Sequence, residues 1–125
     1  AAIVFADEAE RKWLEQVIHP FIERELEKRL AQFPPEDRVM LEVPLLFECG
    51  WEKLTDRTVA VWSPPGIQME RLLKRGWSRE QAEYRIRSQF SADRKLELAD
   101  YGIINDSGMD TLRMQCEELN RCLNS

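Results

Sequence analysis

The sequence predicts an α/β fold in which helices pack on a parallel sheet. Three observations predict it. Residues 39–43 and 58–62 are nearly continuous apolar runs of strand length, the pattern of strands covered on both faces. Residues 102–105 form a third, shorter run. Around these runs the apolar spacing is helical, and strands alternating with helices imply parallel βαβ connections.

Each element follows from local signals. Over residues 7–31, Trp13, Leu14, Val17, Ile18, Phe21, Ile22, Leu26 and Leu30 recur at three- and four-residue steps, which predicts a helix. Asp7 suits its N-cap, with Glu10 as capping-box partner. Pro20 removes a hydrogen bond inside that run, so a kink or two helices meeting near His19-Pro20 is expected. Pro34-Pro35-Glu36-Asp37 reads as a loop. The run 39–43 reads as a first strand ended by Pro44, which cannot donate to a ladder. The run 58–62 is a second, stopped by Ser63-Pro64-Pro65. Residues 67–74 return to helical spacing, with Pro65 suited to a first turn. Ser78 with Gln81 forms a capping-box pattern opening a helix to about Gln89, and Ser91 caps a shorter one to Leu98. After the third strand, Asp110 reads as the cap of an amphipathic helix through Leu112, Cys116, Leu119 and Leu123.

The composition narrows the function. The 125 residues fit one domain, and 43% hydrophobic residues argue against disorder. A net charge of −5 disfavours a general nucleic-acid binder but leaves room for a locally basic cleft that takes a small anion. No apolar run approaches the roughly 20 residues of a membrane span, and no signal peptide opens the chain. Cys49, Cys116 and Cys122 make no close pair and His19 is the only histidine, so the spacing offers no zinc site and a reduced, cytoplasmic setting is the default. The start, Ala1-Ala2-Ile3-Val4-Phe5, reads as an interior or processed stretch.

Parallel strands place ligands at their C-terminal ends. The candidate edges are therefore Pro44-Leu45-Leu46-Phe47-Glu48, Ser63-Pro64-Pro65 and Asn105-Asp106-Ser107-Gly108. Arg71 and Arg75 lie one turn apart on the helix after the second edge, and Arg85, Arg87, Arg94 and Lys95 follow. Guanidinium forks grip phosphate, and phosphoryl transfer needs several such cations. The same spacing fits a solvated surface, since Glu70, Glu80, Glu83, Asp93 and Glu97 lie among these cations.

An ordered set of motifs adds a family resemblance. Trp13-Leu14 before His19-Pro20, then Val43-Pro44-Leu45-Leu46-Phe47-Glu48, Ser63-Pro64-Pro65, Gln68, Arg71, Arg75, Ser78-Arg79-Glu80-Gln81, Arg85, Gln89, Ala99-Asp100 and Ile103, Asn105, Gly108 follow one another as in dephospho-CoA kinases. The chain resembles that family from about Val4 to Leu123. The resemblance implies a three-layer parallel sheet with flanking helices, of the P-loop NTPase and nucleoside-monophosphate-kinase type, seen incomplete. It implies one partial kinase domain: acceptor-side helices over about 1–33, core over 38–63 and 101–125, and lid-like helices over 77–98. It implies ATP and Mg²⁺, with dephospho-CoA phosphorylated at the ribose 3′-hydroxyl to give coenzyme A. By the same resemblance Arg71, Arg75, Asn105 and Gly108 bind ATP. Arg85 reaches its phosphates from the lid, and His19, Pro44, Leu45, Leu46 and Glu48 border the acceptor. No nucleic acid or membrane partner is implied.

The residues depart from the family in one large respect. No G-x-x-x-x-G-K-[ST] loop is present, and the catalytic aspartate that follows it in the family has no counterpart here. The Mg²⁺ ligands are expected mainly from that same absent segment. Without the central strand, apolar strand faces would be bare, so a preceding N-terminal segment is expected in the natural protein, and these residues alone are expected to be inactive. Two smaller departures are the short Arg75-Gly76-Trp77-Ser78 hinge and Ile104, where the family commonly has Asp. The alternatives are a non-catalytic nucleotide- or CoA-binding homologue and an unrelated α/β domain whose arginines are surface charge.

Overall fold

The computed structural model describes residues 8–124; the Asp7 cap lies outside the described residues. The chain divides into two compact units, Ala1–Pro44 and Leu45–Ser125.

The first unit holds helix α1, Glu8–Ala31. It is one element of 24 residues with Pro20 inside it. Of the two sequence expectations at His19-Pro20, two separate helices is therefore not what forms. Proline removes a single N–H from the ladder, and the turns on either side carry the helix past it. Trp13, Val17 and Phe21, at successive four-residue steps, are exposed. The strand expected over 39–43 does not form: these residues lie outside every described helix and strand. A strand exists only through its ladder. An apolar run without a pairing neighbour stays irregular, and Met40 is 76% exposed.

The second unit is α/β. Its order is a 3₁₀ turn at Trp51–Leu54, strand β1 at Val59–Trp62, helices α2 at Pro65–Lys74, α3 at Arg79–Arg87 and α4 at Ala92–Leu98, strand β2 at Tyr101–Ile104, and helix α5 at Met109–Asn124. β1 and β2 pair in parallel, with Val59 opposite Tyr101 and Trp62 opposite Ile104. The ladder continues past both ends, through Tyr101 N–H to the Thr58 carbonyl and Asn105 N–H to the Trp62 carbonyl. At its entry, Asp100 Oδ2 accepts from the Thr58 N–H at 2.8 Å and from the Thr58 hydroxyl at 3.2 Å. Both strands were expected to be covered on each face. Here Ala60 and Ile103 are buried, whereas Val61 is 61% exposed.

The helix ends obey local chemistry. Pro65 occupies the first turn of α2. At the other end, Gly76 N–H reaches the Leu73 carbonyl and Trp77 N–H the Leu72 carbonyl, a Schellman stop. Gly76 takes a left-handed φ of 94° to make it. Ser78 then caps α3 at once, in a reciprocal capping box with Gln81. This is the physical basis of the short hinge. Ser91 likewise caps α4, accepting from the Arg94 N–H.

Asp110, expected as a cap, is instead the second residue of α5. There its carboxylate complements the N-terminal helix dipole. Of the expected apolar stripe on that helix, Leu112, Leu119 and Leu123 are half-buried and one position differs. Cys116 is exposed, and the half-buried position beside it belongs to Gln115. Its amide accepts from the Ile104 N–H at 2.7 Å and donates to the Ile104 carbonyl at 2.8 Å, satisfying β2 backbone groups that β1 does not reach. Among the described residues no helix is long and apolar enough to cross a membrane.

Candidate functional site

The parallel ladder brings the C-terminal ends of β1 and β2 side by side. Because Asn105 N–H donates to the Trp62 carbonyl at 2.7 Å, the turn after β2 begins next to Ser63. Ser63 is buried. Its hydroxyl donates to the Asn105 carbonyl at 2.7 Å and accepts from Arg71 Nη1 at 3.0 Å. Its own carbonyl accepts from Gln68 Nε2 at 2.7 Å. Two residues expected from different motifs, Arg71 and Asn105, are thus joined through one hydroxyl. Arg75 follows one turn later at the end of α2 and is exposed, while Gly108 sits on the exposed turn before α5.

A recess of about 220 Å³ opens beside this corner, with Trp62, Ser63, Gln68, Gln89, Asp93 and Lys95 on its walls. Its far side comes from the α3–α4 segment, which two polar ties hold in place. The Trp62 indole N–H donates to Asp93 Oδ1 at 2.6 Å. Glu48 Oε2 accepts from the Phe90 N–H at 2.9 Å and pairs with Lys95 Nζ at 3.1 Å, while Lys95 also donates to Gln89 Oε1 at 2.8 Å. The Glu48 and Lys95 side chains are 13% and 19% exposed, so this pair is largely out of water. The second oxygen of Glu48 is buried without a hydrogen-bond partner.

Glu48 reaches this place because its segment folds as a tight turn. Cys49 N–H bonds to the Leu45 carbonyl, and Gly50 and Trp51 close the turn on Phe47 and Leu46. Gly50 supplies the required left-handed φ of 70°. Leu45 and Leu46 are half-buried in that turn. Arg85, on the exposed side of α3, stands over the Trp77 ring, with its guanidinium carbon 5.8 Å from the centroid. His19, half-buried on α1, and Pro44, exposed, belong to the other unit. Among the described residues no group of three or more His, Cys, Asp or Glu is arranged to hold a metal ion. Those residues therefore form no dedicated carboxylate cage for Mg²⁺ among themselves.

Sequence reasoning put Ser63 at a candidate ligand edge, Gln68 in the family motif and Lys95 in the basic stretch, but gave none of the three an individual role. For Ser63 the available signal was a small hydroxyl residue ending a buried strand at a ligand-binding edge. For Lys95 nothing local separated it from the neighbouring surface charges.

A model of the dephospho-CoA kinase family matches residues 1–111. A dephospho-CoA kinase of Symbiobacterium thermophilum is 42% identical over 118 residues, covering 92% of this chain and 49% of the relative. One from a Synechococcus strain is 41% identical over 121 residues, covering 95% and 60%. Among solved structures, TT1252 from Thermus thermophilus superposes with a TM-score of 0.81 at 32% identity, over 100% of this chain and 65% of that one. A dephospho-CoA kinase from Campylobacter jejuni gives 0.64 at 28% identity, over 96% and 61%. The chain spans about half the length of the first of these relatives. With a family model matching residues 1–111 and relatives 41–42% identical over more than nine-tenths of its length, this chain belongs to the dephospho-CoA kinase family.

Proposed function

We propose that this chain works in transferring the γ-phosphate of ATP to the ribose 3′-hydroxyl of dephospho-CoA, and that it contributes the adenine-side, lid and acceptor-side residues. The observation that carries this is the corner where Arg71 and the Asn105 turn meet at the C-terminal ends of two parallel strands. That edge is where open α/β sheets bind nucleotides. In this reading β1 and β2 are part of a three-layer sheet of the nucleoside-monophosphate-kinase type. The part of the family's length not spanned here supplies the phosphate loop and the catalytic base.

Each residue then has a task. Arg71 and Arg75 hold ATP by stacking and by charge, and Asn105 and Gly108 edge the adenine. Arg85 swings with α3 to the phosphates, and closure of 77–98 excludes water that would otherwise hydrolyse ATP. Leu45, Leu46 and Glu48 border the acceptor, and His19 and Pro44 are assigned to it by resemblance. Mg²⁺, held mainly by the part of the family's length that this chain does not span, would neutralise charge at the phosphates when bound.

The test is substitution in the full-length protein. Arg75→Ala is expected to weaken ATP about tenfold, the loss of one charge-assisted contact, with dephospho-CoA affinity nearly unchanged. Calorimetric titration with each ligand checks it. Equal loss of both ligands would mean general destabilisation and count against the assignment.

A further inference from the structure

The Ser63 hydroxyl is the feature that the proposed chemistry leaves unused. It is buried, it bridges Arg71 to the turn at Asn105, and its proton and its lone pairs both have partners. A hydroxyl has a single proton. Here that proton goes to the Asn105 carbonyl, which leaves the oxygen lone pairs facing Arg71 Nη1. The direction of the relay is therefore set: the turn orients the hydroxyl, and the hydroxyl orients the guanidinium. Gln68 braces the same residue from its backbone side, through the Ser63 carbonyl.

We propose that Ser63 is a positioning residue for nucleotide binding, coupling the Arg71 guanidinium to the turn that begins at Asn105. The proposal deepens the reading of Arg71 and Asn105 as ATP-binding residues and rests on it. Arginine carries several rotatable bonds, and holding it in one geometry before ligand arrives lowers the ordering cost paid on binding. Because the bridge runs between two parts of the same site, a ligand touching either part meets the other already in register. An alanine at this position would keep the strand and remove the bridge. It would leave Arg71 to find its place only in the complex, and the Asn105 carbonyl without that donor.

The experiment is a double-mutant cycle on full-length protein, with ATP and dephospho-CoA affinities measured by calorimetry. Ser63→Ala is expected to weaken ATP about three- to tenfold, the size of one ordinary hydrogen bond, and to leave dephospho-CoA within about twofold. Ser63→Thr, which keeps the hydroxyl, should restore ATP affinity. In an Arg71→Ala background, Ser63→Ala should have little further effect, since the group it positions is gone. A merely structural serine would instead weaken both ligands and add to Arg71→Ala. Should S63A melt far below the parent protein, S63C, close in volume but a weak hydrogen-bonding partner, carries the same expectation. Weakening by R71A without weakening by S63A overturns the relay alone. A silent R71A overturns the nucleotide reading of Arg71, and the relay with it.

Discussion

Glu48 shows what a single residue does once its surroundings are known. By resemblance it borders the acceptor, yet its Oε2 is taken by the Phe90 N–H and Lys95. The turn after residue 44 is thereby tied to α4 across more than forty positions of sequence. A pair so largely withdrawn from water differs from the exposed Lys74–Glu70 pair on α2, which contributes little. Lys95→Met should cost about 2 kcal/mol, because it strands a mostly buried carboxylate on one N–H donor. Adding Glu48→Gln should recover part of that loss, as a neutral amide needs no cation. Urea unfolding checks both expectations; an unchanged midpoint for K95M would show that the pair is energetically idle.

At the level of elements, the hinge between α2 and α3 is the point of interest. The arrangement is a Schellman stop followed directly by a capping box, with Gly76 and Trp77 alone between the α2 C-cap at Arg75 and the α3 N-cap at Ser78. A Cβ on Gly76 would meet nothing within 4 Å, so any cost of substitution there is in the backbone. Gly76→Ala should therefore destabilise the protein by about 1 kcal/mol through the left-handed φ, without a packing defect. Thermal or chemical unfolding measures this, and a neutral G76A would mean that the hinge relaxes freely. Gly102 is the contrasting case. A Cβ there would run into the Leu96 Cδ1 tip, which α4 brings close to Gly102. The atom met there is the far end of a flexible side chain, so a larger residue would displace the Leu96 tip rather than backbone.

For the molecule as a whole, the question is what these 125 residues do alone. They hold the arginines, the turn at Asn105 and helices α3 and α4. They hold no G-x-x-x-x-G-K-[ST] loop to cradle the β- and γ-phosphates. A protein comprising residues 1–125 and nothing more should show no ATP-dependent phosphorylation of dephospho-CoA. Enzyme-like turnover in a coupled assay for ADP would overturn that expectation. The exposed Val61 on β1 is consistent with a sheet that is not fully covered by the described residues.

Much of the fold was legible because its signals are local. A capping box acts over three residues, a proline at a first turn over one, and the ends of β1, α3 and α4 fell within a residue or two of where those signals put them. The ordered motifs likewise identified the family from sequence alone. What the sequence could not decide were matters of partnership. Residues 39–43 carry the composition of a strand, but a strand needs a neighbour, and none pairs with them among the described residues. Gln115 looks like surface until β2 presents backbone groups for its amide to bind. Ser63 and Asn105 lie 42 positions apart, as do Glu48 and Phe90. Hydrogen bonds over such separations have no periodicity to read. They exist only after the parallel ladder has set two strand ends side by side, and so the sequence determined the family and the element types, while the tertiary structure decided which hydroxyl holds which arginine.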